Sequence, residues 1–252
     1  MTTEPPSWQP PPAAGEPLDA WPIGQPAAQV KGGAIVDIDG TLVDTNYQHT
    51  IAWGRAFTDH GVTVSLWQVH RHNGMGGDEL VAAVAGERVE ERLGDAIRDS
   101  EARHYADLIE EVKPLPGARD LLAELRRLGY EVVLASSAKL GEVERYVDLL
   151  DARDTVRAWT SEADVDHTKP DPDLITTAAR RLPSAARPVV IGDATWDAIA
   201  AGRAGLPAIG LLSGGFGRDE LRDAGCAVVF ADPEDLLEHL EQALASVQLR
   251  GA

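Results

Sequence analysis

The sequence predicts an α/β protein: a doubly wound, Rossmann-like parallel sheet core carrying an inserted all-helical cap. Three observations carry that prediction. Short apolar runs alternate with helical patterns over most of the 252 residues, which implies right-handed βαβ units and a sheet covered on both faces. The alternation breaks once, between residues 47 and 111, where every pattern is helical. Four polar clusters follow apolar runs, and the carboxyl ends of parallel strands line up along one edge.

Taken in order, residues 1–30 ("MTTEPPSWQPPPAAGEPLDAWPIGQPAAQ" and one more) are rich in proline and alanine without a period, and a disordered tail is expected. That stretch has no basic n-region and no apolar h-region, so it does not read as a signal peptide; Trp8 and Trp21 are its only candidate anchors. "GGAIVDI" reads as a buried strand. Helical stretches follow ("HTIAWGRAFTDHG", "DELVAAVAG" and "ERLGDAIRDSEARHYADLIEEV") up to the proline-marked hinge at Lys113–Gly117. "GARDLLAELRRLG" puts Leu121, Leu122, Leu125 and Leu128 on one helical stripe that ends at Gly129. "YEVVLAS" is the next strand, then the helix "GEVERYVDLL", the short strand "VRAWTS" and a helix starting near Asp171-Pro172. Two further strand-helix pairs ("RPVVIGD" with "ATWDAIAAGRAG", "LPAIGLL" with "RDELRDAG"), the strand "CAVVF" and the helix "PEDLLEHLEQALASV" complete the chain. The organisation expected is a core from 31–46 and 112–252, with a cap from 47–111.

Asp and Glu (41) outnumber Lys and Arg (23), for a formal net charge of -18. Such a surface argues against nucleic acid or anionic lipid as a partner, since phosphate contacts need a basic patch. No apolar run is long enough to span a membrane. Cys226 is the single cysteine and lies in an apolar run, so it reads as a buried structural thiol in a reduced, cytoplasmic setting. The oligomeric state is left open.

The clusters are Asp37 and Asp39 after the first strand, Ser136 and Ser137 after the second, Lys169 after the third, and Asp193 and Asp197 after the fourth. Asp37 and Asp39 stand at i and i+2, so strand alternation would project them from one face. Carboxylates gathered with few basic partners repel unless a divalent cation joins them, and an oxygen-only set suits Mg²⁺. Such a site, with a lysine and a serine hydroxyl near it, fits a phosphoryl group. One carboxylate can attack phosphorus, and a second can move protons to the leaving oxygen and from water. Each residue also has a plainer reading. Asp193 or Asp197 suits a helix start, Ser136 or Ser137 a cap, and Lys169 a solvated surface.

"DIDGTLVDT", "LASS", "HTKPDPDL" and "IGDATWD", in that order, resemble the four motifs of the haloacid dehalogenase-like superfamily. The helical stretch after the first motif is similar to the C1 cap of the subgroup that contains β-phosphoglucomutase and phosphoglycolate phosphatase. The resemblance implies that Asp37 is the nucleophile and a Mg²⁺ ligand, and that Asp39 is the general acid/base with its backbone carbonyl on the metal. It implies that Ser136 hydrogen-bonds the transferring phosphoryl group, that Lys169 neutralises its charge, and that Asp193 completes the metal shell beside Asp197. Thr41 and Gly40 would support the loop that presents backbone N–H groups, and Thr41 and Ser137 are further candidates for substrate binding. Asp44 reads as a loop residue.

The expected activity is Mg²⁺-dependent hydrolysis of a small phosphorylated metabolite. The alternatives are a phosphomutase, disfavoured because the mutase branch carries Glu-Asp where this chain has Gly192-Asp193, and a non-catalytic scaffold of the same fold. Phosphonate hydrolysis needs a cap lysine, and residues 47–111 contain none. Within "QVHRHNGMGGDELV", Arg71 and His72 are candidates to contact the leaving group, against the plainer reading of basic residues at a helix end. His49, Trp53 and Arg55 are candidates to line the same cleft, and the i, i+4 spacing of His49 and Trp53 fits a core-facing stripe equally well.

Overall fold

The computed structural model describes residues 30–184 and 186–248, so the expectations for the tail and its tryptophans lie outside the described residues. Six strands form one parallel sheet: β1 (Gly32–Val36), β2 (Tyr130–Ala135), β3 (Ala158–Thr160), β4 (Pro188–Gly192), β5 (Ala208–Leu211) and β6 (Cys226–Phe230). Their order is β3-β2-β1-β4-β5-β6, which puts the reversal of strand order beside β1.

Period-two alternation divides the sheet's side chains between two cores. Ala34, Val36, Leu134 and Ile191 pack on one face with Leu121, Leu122 and Leu125 of α5 (Ala118–Arg127). Val143 and Val147 of α6 (Leu140–Leu149) join them. Ile35, Val133 and Val190 pack on the other face with Leu174, Ile175 and Ala178 of α7 (Asp173–Arg180) and with Ala198 and Ala201 of α8 (Thr195–Arg203). With both faces covered, the strands are continuous apolar runs, as parallel strands are. The chain closes with α9 (Arg218–Asp223), α10 (Pro233–Glu238) and α11 (Leu240–Gln248). The single helix expected over the last stretch is divided at His239, where the backbone leaves helical angles (φ -117, ψ 13).

Between β1 and α5 lie α1 (Asn46–Asp59), α2 (Leu66–His70), α3 (Gly77–Ala85) and α4 (Glu87–Ala106). Trp53, Phe57, Val69, Leu80, Val81 and Ile97 form a third core of their own among these helices. None of the described helices is long and apolar enough to cross a membrane.

One departure from the strand pattern matters for the site. β1 stops at Val36, two residues short of the apolar run. The Ile38 carbonyl accepts from the backbone N–H groups of Thr41, Leu42 and Val43, winding the chain into a tight loop in which Gly40 takes φ +77. Asp37 and Asp39 therefore belong to a loop, and strand alternation does not apply to them.

Candidate active site

Asp37 leaves the end of β1, its backbone N–H donating to the Ile191 carbonyl of β4 at 2.9 Å. Its side chain is buried and accepts a hydrogen bond from Lys169 Nζ, which comes from the loop between β3 and α7. Lys169 is 1% exposed and also stands 2.8 Å from Asp197 Oδ1. Asp193 follows β4 and is held by two donors, Thr41 Oγ1 at 2.7 Å and Asn46 Nδ2 at 3.0 Å. Close approach here requires glycine at 214, since a Cβ on Gly214 would sit 2.0 Å from Asp193 Oδ2. Asp197 does two things: Oδ2 accepts from the Ala194 N–H at the start of α8, while Oδ1 faces Lys169. The helix-capping reading and the site reading of this residue both hold.

Oxygens of Asp37, Asp193 and Asp197 lie within 4.8 Å of one another, all three residues buried. With only Lys169 set against them in this cluster, two negative charges are left over if all three ionise. Burial, reinforced by Asp197, Asp193 and Asp39 and countered by Lys169, pushes Asp37 well above the usual carboxylate range. Burial and then Asp197 carry Asp193 up to about 7. Burial would lower Lys169, but Asp197 and Asp37 hold it above its ordinary value. A divalent cation supplies the missing charge, and an all-carboxylate set suits a hard one, so these residues fit a metal such as Mg²⁺.

The Asp39 carboxylate turns away from this group, which corrects the expectation that it shares a face with Asp37; the early end of β1 is the reason. It accepts from Thr45 Oγ1 at 3.0 Å and Ser136 Oγ at 2.9 Å, with His49 Nε2 3.5 Å away. Burial would raise Asp39, but hydrogen bonds and charge from His49, with hydrogen bonds from Ser136 and Thr45, bring it below the usual carboxylate range. His49 is clamped on its other side by Glu101 at 3.0 Å and stacks on Tyr105 with centroids 3.8 Å apart. Burial opposes its charge, yet Asp39 and Glu101 lift it to about 10.

The cleft above these groups is lined on the helical side by Trp53, Asn73, Gly74–Gly77 and Glu101, and on the sheet side by Ser137, Lys139, Glu142 and Glu162. Arg71 and His72 do not line it, and this corrects their expected contact with a leaving group. Arg71 donates to Glu220 at 2.5 and 3.2 Å and lies 4.4 Å over the Phe216 ring. His72 Nδ1 is 2.7 Å from the Gln68 carbonyl, and its ring stacks against Trp196. The chain turns at the end of α2, where Arg71 N–H still bonds the Trp67 carbonyl, so the residues that reach the cleft come next, beginning at Asn73. Thr41 fixes Asp193 instead of facing a substrate, and Ser136 is committed to Asp39 and to the Ala138 N–H. Asp44 is exposed, as expected of a loop residue. Sequence reasoning missed Asn46, Thr45, Glu101 and Glu142, whose spacing to the motifs carries no signal.

A family model described as haloacid dehalogenase-like hydrolase matches residues 32–205. Validoxylamine A 7'-phosphate phosphatase of Streptomyces hygroscopicus subsp. limoneus is 30% identical over 189 residues, covering 71% of this chain and 85% of that protein. Beta-phosphoglucomutase of Bacillus subtilis (strain 168) is 27% identical, covering 71% of this chain and 83% of its own length. A solved hydrolase from Pseudomonas syringae matches with a TM-score of 0.79 at 33% identity, over 84% of this chain and 99% of that one.

Proposed function

The chain belongs to the haloacid dehalogenase-like hydrolase family, and from that membership we propose that it hydrolyses a small phosphate monoester through a phospho-Asp37 intermediate. A carboxylate oxygen of Asp37 attacks phosphorus as the bond from phosphorus to the ester oxygen breaks, and Asp39 passes to the departing oxygen a proton drawn from the His49 imidazolium, 3.5 Å away. Water then attacks the phosphorus of the acyl phosphate while Asp39 takes its proton, and phosphate leaves with Asp37 restored. Asp37, Asp193 and the backbone carbonyl of Asp39, with Asp197 beside them, would hold a Mg²⁺, which when bound would neutralise charge on the phosphoryl oxygens. Lys169 balances the remaining charge, and Ser136 fixes the Asp39 carboxyl. The helices of residues 47–111 act as a cap that excludes water from the cleft over the core of 31–46 and 112–252.

The observation that carries this reading is the division of labour between the two aspartates. Asp37 sits in the charge cluster with Lys169, while Asp39 has a separate set of hydroxyl and imidazole partners. That separation supports attack by the first residue and proton transfer by the second. Hydrolysis is favoured over a mutase by Gly192, where an added Cβ would meet the Asp197 side chain at 2.4–2.5 Å, leaving no space for glutamate.

The test is release of phosphate from a generic aryl phosphate, with and without Mg²⁺, by wild type and Asp37→Asn. Turnover that needs Mg²⁺ and disappears in Asp37→Asn is expected. Turnover that survives the substitution would remove Asp37 from the mechanism.

A further inference from the structure

Outside the Asp37–Lys169 cluster, the cleft side chains without a partner among the described residues include three acceptors, the Ser137 hydroxyl and Lys139 at the exposed rim. Asn73 is 5% exposed, and its Nδ2 donates to the Asn46 carbonyl at 2.7 Å and to Thr50 Oγ1 at 2.9 Å. A carbonyl only accepts, so that contact fixes which amide atom faces it. The other atom, Oδ1, is buried on the cleft wall with no partner. Glu142 and Glu162 line the same cleft, and their carboxylates take part in no hydrogen bond among the described residues. Burial raises the proton affinity of both, Glu142 to about 7.

Of the cleft's cations, His49 and Arg98 are spoken for, while Lys139 makes no ion pair among the described residues. His49 lies between Asp39 and Glu101. Arg98 donates to Glu90 twice, to Asp95 and to the Gly77 carbonyl, at 2.8–3.0 Å. Lys139 stands at the exposed rim, where its charge acts on Glu142 and Glu162. An anionic group here would meet one exposed cation, Lys139, against the acidic side chains of Glu142 and Glu162, an unfavourable balance of charge. A hydroxyl or a protonated amine would meet acceptors that have no donor among the described residues, one of which, Asn73 Oδ1, is fully buried, and such an arrangement gives strong discrimination. Trp53, Met75 and Leu80 supply apolar wall for the carbon skeleton.

We infer that the group esterified to phosphate is a polyhydroxylated, non-anionic alcohol whose hydroxyls, or an amine in place of one, donate to Asn73 Oδ1, Glu142 and Glu162. This rests on the phosphatase reading above and narrows it to one substrate class: neither a carboxylate-bearing ester nor a bisphosphate belongs to it.

The test compares kcat/KM of the Mg²⁺-loaded wild type for sorbitol 6-phosphate and glucosamine 6-phosphate with that for phosphoglycolate, fructose 1,6-bisphosphate and p-nitrophenyl phosphate. The polyol and amino-sugar monophosphates are expected to exceed both anionic esters by at least about 100-fold. In Glu142→Leu/Glu162→Leu, the ratio of sorbitol ester to aryl ester is expected to fall at least about tenfold. Glu162→Gln alone serves if the double variant does not fold, with a smaller fall in the same ratio. A preference for phosphoglycolate or the bisphosphate, with hydrolysis still dependent on Asp37, overturns the inference and leaves the phosphatase reading standing. An unchanged ratio in a folded variant overturns the role of the glutamates. Hydrolysis of no ester in an Asp37-dependent way overturns the phosphatase reading, and the inference with it.

Discussion

On the floor of the cleft, Asp37, Lys169, Asp193 and Asp197 are held by one another, by Thr41 and Asn46, and by the start of α8. At its rim, Asn73 Oδ1, Glu142 and Glu162 have no such partners. Fixed dipoles and charges aimed at one place suit a reaction common to many substrates, because no reorganisation is needed when charge develops. Open acceptors suit recognition, because a ligand must complete them. The floor hangs from strand ends and the loops that follow them, whereas the rim is assembled from α2–α3, α6 and the loop after β3, elements distant in sequence.

The sharpest way to break this contrast is at the floor. Asp37→Asn keeps the shape but removes the attacking oxygen, and kcat for any ester is expected to fall by at least about 10⁴-fold in steady-state assays. Lys169→Met leaves three buried carboxylates without their ammonium. Removing one partner of a buried pair costs roughly 3–5 kcal/mol, so urea denaturation in chelator should show a loss of that order. Added Mg²⁺ should then stabilise this variant more than it stabilises wild type, since a ligand that binds the folded state shifts the equilibrium toward it.

Between floor and rim stands His49. His49→Gln removes the charge that holds Asp39 low, so the limb of the pH–rate profile that reports Asp39 should move to higher pH. A fall in kcat of about tenfold is expected alongside it, at the low end for disturbed proton transfer. A kcat loss without a shifted limb would make His49 a packing residue on Tyr105.

The smallest effect belongs to the rim. Glu142 is pushed up to about 7 in the folded chain because burial opposes its charge, against an ordinary glutamate near 4.5. Between those two pH values the folded state binds more protons than the unfolded one, so Glu142 makes the protein less stable as pH rises through that window. Glu142→Gln should therefore be more stable than wild type near pH 8 by on the order of 1–2 kcal/mol, a figure reduced for solvent at the cleft mouth, and the gain should vanish near pH 4. Urea midpoints at the two pH values check it.

Much of the floor was legible in the sequence because its residues follow apolar runs that could only be parallel strands. "AIV" ahead of Asp37, "VVLA" ahead of Ser136 and "VVI" ahead of Asp193 announce strand ends, and parallel strands end on one side. Gly129 marked a helix end and takes φ +86. The side-chain directions were less legible. Alternation predicted one face for Asp37 and Asp39, and a loop closed on the Ile38 carbonyl separated them. Arg71 and His72 looked like substrate contacts because they are polar and precede glycines, yet Glu220 and Trp196, far along the chain, claim them.

What the sequence determined by itself was the α/β class, the helical stretch between the first two strands, and the convergence of four polar clusters on one sheet edge. These follow from local periodicity and from the parallel direction of the strands, both properties of neighbouring residues. Only the tertiary structure decided that Asn46 holds Asp193 and that His49 bridges Asp39 and Glu101. It also decided that Asn73, Glu142 and Glu162 face one cleft. Those contacts join residues dozens of positions apart, and their energy depends on burial and on competing charges that exist only once the chain has folded.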